Sequence, residues 1–261
     1  MNGGPVSFKL KMIKLNIRNL IFLTTISVGM LAGCSDTPKG AYDPKALNAM
    51  DSLGLVIGNL TSCSFSLSTN ISYRDSGEIK GKHKQTEVYM RGPDKMYIYT
   101  ADQTSRKGYF YNGSTLALFN FDDLSYDVIQ APSNIMTTID SVHKTFGIDF
   151  PASDFFFPTL TSDMIKDFDT IFVSGSSIID GVACNEIQAV SPKMNVFISI
   201  DQGTHLPKRL EIYYLGEKKG ENYATTFSNW KTDPVLADQL FSFAPPPNAV
   251  KTPLFMNKTN N

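Results

Sequence analysis

From Cys63 onward the apolar residues of this chain adopt a spacing of two, and that spacing constrains the fold more than any other feature of the sequence. Phe65, Leu67, Thr69 and Ile71 alternate with Ser64, Ser66, Ser68 and Asn70, which makes a strand with one apolar and one small polar face. The pattern recurs over 79–91, 95–101, 106–112, 115–120 and 125–130, and again over 169–179, 182–190, 194–201, 207–215 and 222–231. Turn formers separate the runs: Asp75-Ser76-Gly77, Gly92-Pro93, Asp102-Gln103, Asn112-Gly113, Asp122-Asp123, Asp180-Gly181, Asp201-Gln202-Gly203 and Gly216-Glu217. Asn112-Gly113, between KGYFY and STLALF, is the strongest hairpin signal. Connections this short join antiparallel neighbours, because a parallel pair needs a long crossover. The expected fold is mainly β (α+β), a single domain of roughly eleven antiparallel strands.

Two helical patterns interrupt the strands. Asp43-Pro44 reads as an N-cap followed by proline in the first helical position. Ala46, Leu47, Met50, Leu53 and Ile57 then follow at spacings of three and four, predicting an amphipathic helix that ends near Gly58. After Pro132 and Ser133, a second stripe of Ile135, Met136, Ile139, Val142 and Phe146 stops at Gly147. Asp154-Phe155-Phe156-Phe157-Pro158 comes next, then a weaker helical stretch to Asp167. Residues 233–244 read as a short helical turn plus extended chain, closed by Pro245-Pro246-Pro247.

The first 33 residues have a different character. They contain Lys9, Lys11, Lys14 and Arg18 and no acidic residue, so of 24 Lys+Arg only 20 remain against 25 Asp+Glu from Cys34 onward. That near balance argues against a protein that grips nucleic acid through phosphates. Leu20 to Leu31 is an apolar run, too short for a membrane span of about 20 residues and suited to a signal-peptide core. Met12 begins a signal of more usual length than Met1 does. Leu31-Ala32-Gly33-Cys34 resembles a bacterial lipobox, which implies cleavage before Cys34 and a lipid anchor on its sulfur. Two or more acyl chains hold a protein stably on a membrane. Ser35 after the cysteine favours, by resemblance to enteric sorting, an outer-membrane lipoprotein facing the periplasm. The expected divisions are a signal peptide 1–33, a lipidated linker 34–42, a folded domain 43–250 and a tail 251–261. Cys63 and Cys184 remain as either a disulfide or two buried thiols, both reasonable in an oxidising compartment.

The stretches YFYNGSTLALFNFDDLSYDVI, TTIDSVHKTFGIDFPASDFFF, DGVACNEI, LPKRLEIYY, FSNW and FSFAPPPNA occur in this order. They resemble the domain-of-unknown-function family 2092 of predicted periplasmic proteins. That family is similar in turn to the outer-membrane lipoprotein carrier and receptor (LolA/LolB-like) superfamily. The resemblance implies a curved antiparallel half-barrel with helices packed on its concave face, and a hollow between them that takes acyl chains. The superfamily carrier uses an arginine inside the hollow. Arg91 and Arg106 fall in strands here, and spacing singles out neither.

The residues expected to line or cover such a hollow are Ile135, Met136, Ile139, Val142 and Phe146 with Phe155, Phe156 and Phe157. Three adjacent aromatics cannot all face one side of an element, so the trio either gates the hollow or plugs the barrel end as core. His83, His143 and His205 have no metal-ligand spacing and are expected on the surface, with no metal site. No GxSxG, HExxH, Walker or dinucleotide motif is present, so no catalytic residue and no cofactor is expected. The reading is a non-enzymatic envelope protein, anchored through Cys34, that binds a lipid or lipoprotein. The alternatives are a scaffold whose barrel is filled by its own side chains, and a hydrolase with dispersed carboxylates. Oligomeric state is left open.

Overall fold

In the computed structural model, residues 40–256 are described; Cys34, its lipobox and signal segment, and residues 257–261 lie outside the described residues. The chain enters through β1 (Ala41–Tyr42) and turns into α1 (Pro44–Asn59). Asp43 caps α1 by accepting from the Lys45 N–H at 2.9 Å, and its own N–H donates to the Ile171 carbonyl. The stripe Ala46, Met50, Leu53 and Ile57 is buried, as its spacing requires.

A first meander follows: β2 (Ser62–Asp75), β3 (Glu78–Arg91), β4 (Lys95–Asp102), β5 (Arg106–Tyr111), β6 (Thr115–Asn120) and β7 (Ser125–Gln130). The helical interlude is α2 (Ile135–Phe146), a 3-10 turn at Ser153–Phe156 and α3 (Leu160–Asp167). Asn134 caps α2 by accepting from the Met136 and Thr137 N–H groups, and Gly147 ends it with φ of 69°, a left-handed conformation that glycine adopts without strain. The second meander is β8 (Thr170–Ile179), β9 (Val182–Val190), β10 (Met194–Asp201), β11 (Pro207–Tyr214) and β12 (Asn222–Thr232), and β13 (Val250–Lys251) closes the chain.

The thirteen strands of the described residues form one open, curved sheet in the order β1-β8-β9-β10-β11-β12-β2-β3-β4-β5-β6-β7-β13. The two meanders therefore meet at one seam, the antiparallel β12–β2 pair, where Thr232 lies opposite Cys63. The eleven long strands are the ones the alternation predicts. The two additional ones, β1 and β13, are two-residue parallel pairings on β8 and β7, too short to leave a periodic signal. The hairpins at Ser76-Gly77 and Asp180-Gly181 have positive φ at both turn residues, matching the twist of the strands they join.

The half-barrel's concave face holds one continuous core: α1, α2 and the 3-10 turn pack onto inward residues such as Phe65, Leu67, Val88, Met96, Ile198 and Phe227. Phe65 stacks on Trp230 at 4.3 Å and on Phe156 at 5.9 Å between ring centroids. The convex face is crossed by residues 233–249. Phe243 packs there against Phe110, Phe119 and Tyr126, while Arg91 donates to the Leu236 carbonyl at 2.6 Å and pairs with Asp238. Residues 251–255, expected in the tail, belong to the fold: Phe255 is buried, and Asp127 accepts from the Leu254 and Phe255 N–H groups.

Asp233 starts the convex strap. Its carboxylate accepts from the Thr61 hydroxyl and from the Thr61 and Ser62 N–H groups, and these bonds hold its pKa below the ordinary carboxylate range. A depressed folded-state pKa gives stability that is present above the unfolded value and is lost as pH falls through the folded one. In urea titrations, Asp233→Asn is therefore less stable than wild type by a constant margin near neutrality, and the margin shrinks below about pH 4. Phe65→Ala removes the ring at the centre of the aromatic stack, and its unfolding free energy is expected to fall by about 3–5 kcal/mol.

Candidate functional site

The inward face changes character along each strand of the first meander. Reading from the seam, β2 presents Phe65, Leu67, Thr69, Ile71 and Tyr73, and in register with them β3 presents Val88, Thr86, Lys84, Lys82 and Lys80. On β4 the sequence is Met96, Ile98, Thr100, Asp102, and β5 adds Tyr111, Tyr109 and Lys107. One end of the half-barrel is thus packed solid, while the other carries polar and charged side chains that do not fill it.

At that second end lies a cavity of about 440 Å³, inside the range of about 300–1,000 Å³ usual for small-molecule sites. Its sheet wall is apolar toward the interior, with Ile71, Tyr109, Leu118, Leu210, Ile212 and Tyr223. Lys82, Lys84, Lys107, Thr100 and Asp102 form the charged side. Its cover is the segment that leaves α2, from Ile148 to Ala152 with Asp154, and Leu254 closes one flank. Phe150 of the cover meets Tyr109 of the sheet edge-on at 5.3 Å.

The electrostatics follow from this arrangement. Burial works to raise the pKa of Asp102, but Lys82 at 2.7 Å and the Thr104 N–H and hydroxyl prevail and hold it low. Burial pushes the Tyr109 and Tyr223 hydroxyls up to about 12, so both stay neutral. It pushes the Lys84 ammonium down, with Lys82 acting in the same direction. Asp149 of the cover sits 2.5 Å from His143 Nδ1, tying the loop to α2. His143, expected on the surface, is mostly covered for this reason. Among the described residues no group of three His, Cys, Asp or Glu side chains is placed to hold a metal ion.

The eight residues expected around a hollow are brought together, but none lines this cavity. Ile135, Ile139, Val142 and Phe155 are buried in the core, and Met136, Phe146, Phe156 and Phe157 pack against it. Phe155 meets Phe227 edge-on at 5.7 Å. These residues fasten the cover to the sheet, and the cavity is walled by the loop between them, residues 148–152, with Asp154 of the 3-10 turn. Alternation identifies the lining that was missed: Lys82 and Lys84 share a face with Val88 and Met90, which a strand needing a filled core would not offer. Arg91 faces the convex strap, and Arg106 pairs with Asp122 at 2.7 Å, so neither arginine enters the cavity.

Cys63 and Cys184 are both free and buried. They lie on β2 and β9, with three strands between them, whereas a disulfide needs Cα atoms within about 7 Å; the bridge weighed above is not formed.

The half-barrel thus wraps its own helices at one end and leaves the other, covered by a loop and lined by apolar and charged residues together, unfilled. The chain belongs to the family described as predicted periplasmic protein (DUF2092), whose model matches residues 46–255. No curated protein sequence matches it. Among solved structures it is similar to the lipoprotein LppX of Mycobacterium tuberculosis, at 15% identity and a TM-score of 0.45 over 74% of this chain and 98% of that one. It is also similar to LprF of Mycobacterium bovis, at 13% identity and a TM-score of 0.44 over 80% and 99% of the two chains. A LolA superfamily protein of Nitrosomonas europaea follows at 11% identity and a TM-score of 0.33, over 76% and 97%. At these identities the likeness concerns the fold alone.

The thiols supply a direct check. Burial, with Asp233 adding to it, pushes the Cys63 pKa up to about 12, and burial also raises that of Cys184. In a chain of residues 34–261 carrying Cys34→Ser, Ellman's reagent is expected to find no fast-reacting thiol in the native state. Both Cys63 and Cys184 should react in denaturant without added reductant.

Proposed function

We propose that this protein holds an acyl chain, a lipid or a lipoprotein non-covalently in the hollow between sheet and helices, while anchored to the envelope through lipidated Cys34. The anchor and an outer-membrane position facing the periplasm rest on the lipobox resemblance. The binding reading rests on one observation: the lidded cavity of about 440 Å³ with an apolar inner wall. An acyl chain gains about 0.8 kcal/mol for each buried CH₂ and has no hydrogen bonds to satisfy there. In this reading the apolar faces of α2 and of Phe155, Phe156 and Phe157 anchor the cover, and residues 148–154 move to admit the ligand. No bond is made or broken, so the protein acts as a binder and not as an enzyme.

A second reading has its own support. The packed end of the half-barrel, with Phe65, Phe155 and Phe227 interlocked, is what a scaffold filled by its own side chains would show. Lipid mass spectrometry separates the two. The chain 35–261, exported to a bacterial periplasm and extracted with solvent, is expected to release about one lipid per protein. Ile212→Trp, which fills the cavity from the sheet side, should lower that yield about tenfold while leaving the thermal midpoint near wild type. A lipid-free wild type that also ignores added fatty acid and lipoprotein overturns the binding reading and leaves the scaffold.

A further inference from the structure

The cavity carries more charge than a bare hydrocarbon chain requires. Lys84 is half-buried, and neither it nor Lys107 has an ion-pair or side-chain hydrogen-bond partner among the described residues. Asp102 pairs with Lys82 and Asp149 lies against His143; both also attract the Lys84 charge, Asp102 from directly across the β3–β4 pair, without an ion pair to it, and Asp154 has interactions of its own. Lys84 and Lys107 sit on β3 and β5 on the same inward face, with β4 between them and an offset of two residues, Lys84 opposite Asp102 and Lys107 opposite Thr100, so their backbones are about 12 Å from each other. That gap is one two lysine side chains can close around a small group. Desolvating an ammonium without a partner is costly, and the burial of Lys84 already works against its charge. Lys84 and Lys107 repel each other, and an anion placed between them gives both the close ion pair that Asp102 and Asp149 do not.

Resting on the lipid-binding reading, we propose that the cavity takes a single-chain amphiphile with an anionic head, a carboxylate or a phosphate. The tail lies against Ile71, Leu118 and Ile212, and Lys84 and Lys107 hold the head. The volume favours one chain over the several chains of a triacylated protein, whose ester and amide head is also uncharged. Each charge-assisted hydrogen bond to the head strengthens binding by about tenfold or more.

The test is displacement of cis-parinaric acid, a fluorescent fatty acid, from a chain of residues 34–261 carrying Cys34→Ser. Palmitate and 1-palmitoyl lysophosphatidate are expected to displace the probe at least about tenfold better than methyl palmitate, which has the same tail and no charge. Whichever of the two acids competes better identifies the head as carboxylate or phosphate. Lys84→Met with Lys107→Met keeps the aliphatic stems and should weaken the acids about tenfold while leaving the ester unchanged. Equal competition by acid and ester, or an equal loss for both in the double variant, overturns the head assignment and leaves lipid binding intact. Failure of the wild type to bind the probe or any competitor overturns both. If the double variant does not fold, the wild-type comparison of acid with ester decides alone.

Discussion

β2 and β3 run side by side through fourteen residue pairs without a bulge, from Ser62 opposite Arg91 to Asp75 opposite Glu78, and the rest of the molecule takes its arrangement from that register. Because side chains alternate strictly, it settles at once which residues meet the helices and which meet the convex strap. It puts Phe65 and Val88 at one end of the concave face, and Ile71 and Lys82 at the other. A slip by one residue would turn the lysines outward and bring His83 and Gln85 in, and would bury Glu87 and Tyr89 where Thr86 and Val88 now sit. The helices, the cavity and the strap all depend on the same pairing.

The two ends of that face do different work. Around Phe65 the side chains from β2, β12 and the 3-10 turn interlock, and large-to-small changes there are expensive because little can collapse into the gap. Around Lys84 there is no equivalent filling. A polar residue on an inward face leaves the helices nothing to bury against, so the chain spans this end with a loop, Ile148 to Ala152, in place of a helix. The cavity is a consequence of where the apolar alternation stops, and the charged side of its wall is the reason it stops.

Much of this was legible in the sequence. The eleven long strands, their antiparallel order, α1 with its Asp43 cap and α2 with its Gly147 stop all follow from period, turns and caps. Tyr213 faces out and Leu210 and Ile212 face in, as their alternation requires. Less accessible was the depth at which each apolar residue sits. The Ile135 to Phe146 stripe and the three phenylalanines looked like the wall of a hollow because they are the densest apolar groups in the chain. Density of that kind packs solid, and Phe156 found Phe65. The cavity formed where apolar and charged residues mix, at Ile71, Lys82, Lys84 and Tyr109, and a mixed face gives no periodic signal. Cys63 and Cys184 were undecided for another reason: their separation depends on sheet order, which strand patterns alone do not specify.

The seam between the meanders also bears on how the protein comes to be folded. Each meander is built from neighbours in sequence, so either can assemble through short hairpin closures as soon as its residues are available. The β12–β2 pairing is different, since it joins Cys63 to Thr232 across nearly the whole domain and has to await the last strand. Until then β2 presents an unpaired edge, the kind of surface that invites pairing with another chain. For a polypeptide that crosses a membrane N-terminus first, that open edge lasts as long as the C-terminal meander takes to arrive. Asp233, bonded to Thr61 and Ser62 directly beyond the seam, is then the latch that finishes the join.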